Sequence, residues 1–196
     1  MARPKDYDRD DVLISARDLF WEKGYEATSI TELEERTGLN RSSLYREFGS
    51  KYGLFEAALD CYADRIIAGL FADVRRDDAG LGAVVALFEH LAELFGANRV
   101  ISARGCLTVN STAELAARDG RVRPAAASYR DRLRADFASA LTHAAAVGEI
   151  EGSSVAPRAY LLASTLMGVW LTVRIDPLDA AALCGTVAEE IAQWRL

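Results

Sequence analysis

The sequence predicts an all-α protein, with an N-terminal three-helix domain carrying a helix-turn-helix and then a larger helical domain. Three observations point there. Apolar residues recur at helical spacing along almost the whole chain, and strand-like alternation is nearly absent. Cap residues and glycine stops follow one another closely between residues 24 and 50. Hydrophobic residues make up 51% of the 196 residues, enough to build a sizeable core.

The elements follow in order. Val12, Ala16, Leu19 and Phe20 share one face of a first helix, which Gly24 and Tyr25 end. Ser29 with Glu32 three residues on reads as a capping box opening a short second helix, broken by Gly38. Asn40 caps a third, ending near Phe48 and Gly49. Ser50 caps a long fourth helix through Leu54, Ala58, Cys61 and Leu70. Further on, Leu81, Val84, Val85, Phe88, Leu91 and Phe95 form a stripe, and a short helix follows Gly105. Tyr129, Leu133, Phe137 and Leu141 line another helix, opposite Arg130, Asp131, Arg134 and Asp136, and "GEIEG" ends it. The segment from Ala159 to Arg174 is next, and Asp176-Pro177 separates it from a last helix with Leu183, Val187, Ile191 and Trp194.

Composition narrows the functional classes. With 23 Lys+Arg against 29 Asp+Glu the net charge is -6, so any nucleic-acid contact must be a local patch. Three widely separated cysteines argue for a reducing compartment rather than a disulfide framework. The charged start "MARPKDYDRDD" does not read as a signal peptide. The longest apolar run, Ala159 to Val173, is shorter than the about 20 residues that cross a bilayer, so no membrane is expected as a partner. Two distant histidines and the lack of a phosphate loop or nucleophile elbow argue against an enzyme, and no cofactor or metal is implied.

The stretch "TGLNRSSLYREFGSK" is the exception to the acidic balance. Residues 1–48 hold 8 basic and 11 acidic side chains, whereas 37–52 hold Arg41, Arg46 and Lys51 against Glu47 alone, a net of +2. Helix, tight turn at Gly38, helix is the punctuation of a helix-turn-helix, whose second helix enters the DNA major groove. Arg41 can donate to guanine or to a phosphate, and Ser42 and Ser43 can meet any base edge. Leu44 is expected to point inward with Leu33 and Phe48. Tyr45 carries a hydroxyl on a rigid ring, and Lys51 stands at the start of the next helix; both suit a phosphate.

The run "DVLISARDLFWEKGYEATSITELEERTGLNRSSLYREFGSKYGLFEAALDCY" resembles the N-terminal domain of TetR-family transcriptional regulators. Gly24-Tyr25, Thr28-Ser29, Gly38, Leu44-Tyr45, Phe48, Lys51 and Leu54 stand where that family's pattern puts them. The resemblance implies phosphate contacts at Thr28, Tyr45 and Lys51 and base reading at Arg41, Ser42 and Ser43. It implies a DNA-binding domain at residues 1–52, with the helix-turn-helix at about 29–48, and a ligand-binding and dimerisation domain at 53–196. Glu34 and Thr37 depart from the alanine frequent at those positions, and Glu34 must face solvent or pair with Arg36, Arg41 or Lys23.

For the second domain the expectations are a homodimer through the last two helices and an apolar effector site lined by Phe95, Tyr129, Phe137, Met167 and Trp170. Plain core packing is the alternative for those five residues. Cys106 follows Gly105 at a helix start near Arg104, a setting that favours thiolate and a thiol-sensor role, against that of a buried structural cysteine. The expected function is a cytoplasmic dimeric repressor, released from an inverted-repeat operator in double-stranded DNA by a small-molecule effector. The alternatives are a helical binding module without DNA affinity and a repressor sensing electrophiles through cysteine.

Overall fold

The computed structural model describes residues 7–97 and 102–196. Among them there are helices and no strand. The chain forms two compact units, Met1–Ile67 and Ala68–Leu196.

In the first unit, α1 (Arg9–Lys23) is capped by Asp8, whose side chain accepts the Asp10 N–H, and is stopped by Gly24 at φ 85°. The capping box opens α2 (Ile30–Thr37), where Ser29 and Glu32 each accept the other's backbone N–H. Gly38, left-handed at φ 71°, ends it. Asn40 caps α3 (Arg41–Phe48), and Ser50 caps α4 (Lys51–Tyr62). Each such cap is worth about 1 kcal/mol. A π turn over Ala63–Ile67 continues α4 to the end of this unit, and the second unit opens on a short helical stretch, Ala68–Leu70. The compact unit therefore runs past residue 52, because α4 lies along α1.

The core of this unit is aromatic. Phe20 meets Phe55 edge-on at 5.2 Å, Tyr25 lies 4.8 Å from Phe55 and 5.9 Å from Tyr52, and Trp21 meets Tyr62 at 5.0 Å. Leu33 and Leu44 are buried as expected, while Phe48 is only half-buried.

In the second unit, α5 (Leu81–Ala97), α6 (Leu107–Leu115), α7 (Val122–Ala146), α8 (Val155–Ile175) and α9 (Pro177–Ala192) pack as a bundle. The last helix runs along α5, while α8 packs on α7 and α9. Val85 is half-buried and Leu87 takes its place in the α5 stripe. On α9 the buried face is Ala180, Cys184, Ala188 and Ile191, leaving Leu183, Val187 and Trp194 half-exposed. Small side chains let α9 lie close to α5, which rotates the helix away from the face its larger residues suggest. Glu149 ties the bundle's end together: its carboxylate accepts the Leu81 N–H at 3.0 Å and Arg195 Nη2 at 2.8 Å. No helix among the described residues is long and apolar enough to cross a membrane.

One close approach fixes the α3–α4 corner. A Cβ on Gly53 would lie 2.0 Å from the Phe48 carbonyl oxygen, a backbone atom with little room to move. Gly53→Ala is expected to cost about 1–3 kcal/mol by overpacking, read as a lowered midpoint in thermal denaturation. Gly69→Ala, with open space around it, serves as the control.

Candidate nucleic-acid interface

The α2–α3 turn is cross-tied from both sides. The Gly38 N–H donates to the Glu34 carbonyl at 2.9 Å, ending α2. The carboxylate of the same Glu34 accepts the Arg41 N–H at 2.5 Å, at the first residue of α3. Thr37 donates its hydroxyl to the Leu33 carbonyl at 2.6 Å and accepts from the Leu39 N–H. The two departures from alanine thus hold the turn, and Glu34 is neither loose in solvent nor paired with an arginine or lysine side chain through this bond.

On α3, Arg41, Ser42 and Arg46 are exposed and Ser43 and Tyr45 half-buried, so the expected base-reading residues share an open face. Their geometry is partly set in advance. Asn40 Oδ1 accepts the Ser43 N–H at 2.9 Å and the Ser42 hydroxyl at 2.8 Å. The Arg41 guanidinium lies 5.3 Å from the Tyr45 ring centre, stacked in cation–π fashion. Lys51 Nζ sits 4.4 Å from the Tyr25 ring centre. Tyr25 therefore links the aromatic core to the ammonium group proposed for phosphate, which explains why a tyrosine follows Gly24.

Thr28 is placed otherwise than expected. It is fully buried and its hydroxyl donates to the Gly24 carbonyl at 2.6 Å, so the side chain locks the α1–α2 turn and offers no surface to a phosphate. Residues missed in the sequence lie at the other end of α3. Glu47 accepts from the Tyr7 hydroxyl at 3.0 Å and pairs with Arg9 at 3.3 Å, and the Arg9 guanidinium covers the Phe48 ring at 5.4 Å. The lone carboxylate in a basic segment was the available signal. On α2, the hydrogen bond from Lys23 and those from Ser29 pull the Glu32 carboxyl down to about 2 from 4.5, which keeps the capping box ionised.

In the second unit the five candidate effector residues make different contacts. Phe95 and Trp170 meet edge-on at 5.6 Å, whereas Phe137 packs between Phe71 and Phe88 at 5.5 and 6.2 Å; Met167 is half-buried. Tyr129 is buried, and burial first, then the Cys106 thiol, pushes its hydroxyl well above 10. The Trp170 indole acts on that hydroxyl without a well-formed hydrogen bond. A cavity of about 490 Å³ in this unit is lined by other residues, among them Arg76, His143 and Glu149. Phe95, Tyr129, Phe137 and Trp170 are buried, and three of them pack ring against ring within the unit.

Cys106 is also core. It is 0% exposed, and its thiol donates to the Tyr129 hydroxyl at 3.5 Å. A Cβ on Gly105, at φ 65°, would lie 2.9 Å from the Trp170 carbonyl oxygen, and the close approach its absence allows seats Cys106 inside while Arg104 stays exposed. Cys184 is likewise 0% exposed. Cys61 is 8% exposed and lines a surface cavity with Arg9, Asp60 and Arg65, whereas burial pushes the Cys184 thiol up to about 12. Cys61 is therefore expected to react first with iodoacetamide, with Cys106 and Cys184 labelled only on unfolding. Peptide mapping over a labelling time course checks it.

Comparisons with known proteins agree with this arrangement. Residues 12–58 match the model of bacterial regulatory proteins, tetR family, and residues 80–183 match that of the tetracyclin repressor-like C-terminal domain. The chain is similar to the HTH-type transcriptional repressor ComR of Escherichia coli (strain K12), 38% identical over 122 residues, 62% of this chain. That match spans 57% of ComR's length, so the chain covers little more than half of this relative. It is also 30% identical over 159 residues to the HTH-type transcriptional regulator YezE of Bacillus subtilis (strain 168), 78% of this chain and 77% of YezE. Among solved structures it is similar to a cysteine mutant of the TetR family regulator CifR complexed with 26bp double-strand operator DNA. There the TM-score is 0.80 at 25% identity, with 100% of both chains covered. With an exposed basic helix held by a cross-tied turn, and with both family models matched along its length, the chain belongs to the TetR family of bacterial regulatory proteins, the helix-turn-helix transcriptional regulators.

Proposed function

We propose that the protein is a dimeric, cytoplasmic repressor that binds an inverted-repeat operator and is released by a small-molecule effector acting on its second unit. The observation that carries the reading is the exposed face of α3. Arg41, Ser42 and Arg46 project from a helix whose start and end are both tied down, in a segment of net charge +2 within a protein of net charge -6. Surrounding acidity disfavours other docking orientations. Arg41, Ser42 and Ser43 read bases in this proposal, and Tyr45 and Lys51 hold phosphates. The operator bound by CifR and the repressor activity named for ComR support the reading by kinship.

Homodimer formation rests on α8 and α9. One side of α8 is core, while Tyr160, Leu161, Leu171 and Ile175 are 58%, 56%, 45% and 86% exposed on the other. Gly168 lies open on that side with nothing near its Cβ position. A second copy covers this apolar face in an intermolecular four-helix bundle. Trp170, by contrast, belongs to the core of its own chain.

Sequencing of genomic fragments captured by the purified protein is expected to return an inverted repeat. Lys51→Ala should then weaken operator and random DNA alike and reduce the salt slope by about 1, while Arg41→Ala should relax preference at one base position by about 1–3 kcal/mol. Uniform weakening by both changes would remove Arg41 from base reading. For the dimer, Ile175→Asp is expected to yield a folded monomer by sedimentation with operator affinity lowered at least about a hundredfold, through loss of linkage between half-sites. A dimer that survives Ile175→Asp together with Leu171→Asp would place the interface elsewhere.

A further inference from the structure

The charge least suited to a DNA-binding surface is Glu34. Its carboxylate stands at the turn before α3, on a half-buried residue, and its one described hydrogen bond goes to the Arg41 backbone N–H at 2.5 Å. The same residue's carbonyl receives the Gly38 N–H at 2.9 Å. One residue therefore ends α2 and begins α3. The first N–H groups of a helix have no partner within it and carry its positive dipole end. In α3 two of them are filled from inside the protein, Arg41 by Glu34 and Ser43 by Asn40.

We propose that Glu34 is a positioning residue for sequence discrimination: its carboxylate fixes the backbone of Arg41 and keeps the start of α3 from serving as a generic phosphate site. The proposal rests on Arg41 reading bases. Arg41 begins α3 after a left-handed Gly38 and two further residues outside any helix, so without a tether its backbone would be free to fray and its guanidinium to sample several base edges. A free helix N-terminus also attracts phosphate from any sequence, and phosphate contacts carry no sequence information. A resident carboxylate occupies that donor and repels the phosphate, so it lowers random-DNA affinity more than operator affinity, where the Arg41 contact compensates. Alanine at this position would leave both the tether and the repulsion out.

The experiment compares full-length wild type, Glu34→Gln and Glu34→Ala on the captured operator, on operators changed at each base of the half-site, and on random DNA. The glutamine variant keeps an acceptor oxygen for the Arg41 N–H and loses only the charge. Its discrimination at the base met by Arg41 is expected to stay within about twofold of wild type, with random-DNA binding increased. Alanine loses the acceptor too, and that discrimination is expected to fall about tenfold, the effect of one charge-assisted hydrogen bond. Hydrogen exchange at the Arg41 amide should remain slow in wild type and glutamine and become fast in alanine, with the unit still folded at the assay temperature by circular dichroism. Discrimination retained by alanine overturns the proposal, and so does equal loss in both variants. If wild type discriminates and alanine keeps that discrimination, only this proposal falls. If wild type itself shows no base preference at Arg41, the base-reading assignment falls and this proposal with it.

Discussion

The packing of α1 against α4 is the constraint on which the DNA-facing part depends. The two helices of the helix-turn-helix, Ile30–Thr37 and Arg41–Phe48, have eight residues each. Isolated helices shorter than about 12–15 residues are marginal in water. Their stability has to come from burial against something larger. Phe20, Tyr25, Tyr52 and Phe55 supply it, in edge-on and tilted contacts between 4.8 and 6.0 Å. Leu33 and Leu44, nearly inaccessible, each anchor one short helix to the unit's core. Tyr25 also faces Lys51, so the same cluster positions a charge at the surface.

With so little helix to rely on, the unit invests its polar groups in the joints. Thr28 closes the first turn, Glu34 and Thr37 the second, and Asn40 and Ser50 open α3 and α4. At the far end Tyr7 and Arg9 converge on Glu47. Three acidic residues around the helix-turn-helix are therefore not scattered opponents of DNA binding. Glu32, Glu34 and Glu47 are each engaged by a cationic side chain, a backbone N–H or a hydroxyl. An acidic remainder around a short basic face favours one docking orientation over the rest.

The second unit obeys a different logic. Its interior is filled by rings that contact one another, with a thiol–phenol hydrogen bond in place of an open reactive cysteine. Its one conspicuous irregularity is α8, apolar toward the core and apolar toward solvent. In the dimer proposed above a second copy covers that face, and on α9, which packs beside α8, Leu183 and Val187 are half-exposed.

What the sequence by itself determined was local. Gly24, Ser29, Gly38, Asn40, Gly49, Ser50 and Asp176-Pro177 set helix ends through interactions spanning at most four residues, and the structure has those ends where the residues put them. The apolar stripes of α1 and α7 were legible for the same reason, since a wide hydrophobic face has one way to turn inward. The tertiary structure decided everything that depends on a distant neighbour. The rotation of α9 was set by close approach to α5, where alanines and a cysteine pack better than leucine and valine. Thr28 went inward because the Gly24 carbonyl needed a donor, and Cys106 because Gly105 lets the chain pass against Trp170. A polar or small side chain carries no sign of its own for inside or outside. Only the groups brought against it by the fold, and the cost of leaving a buried polar group unpaired, settle where it lies.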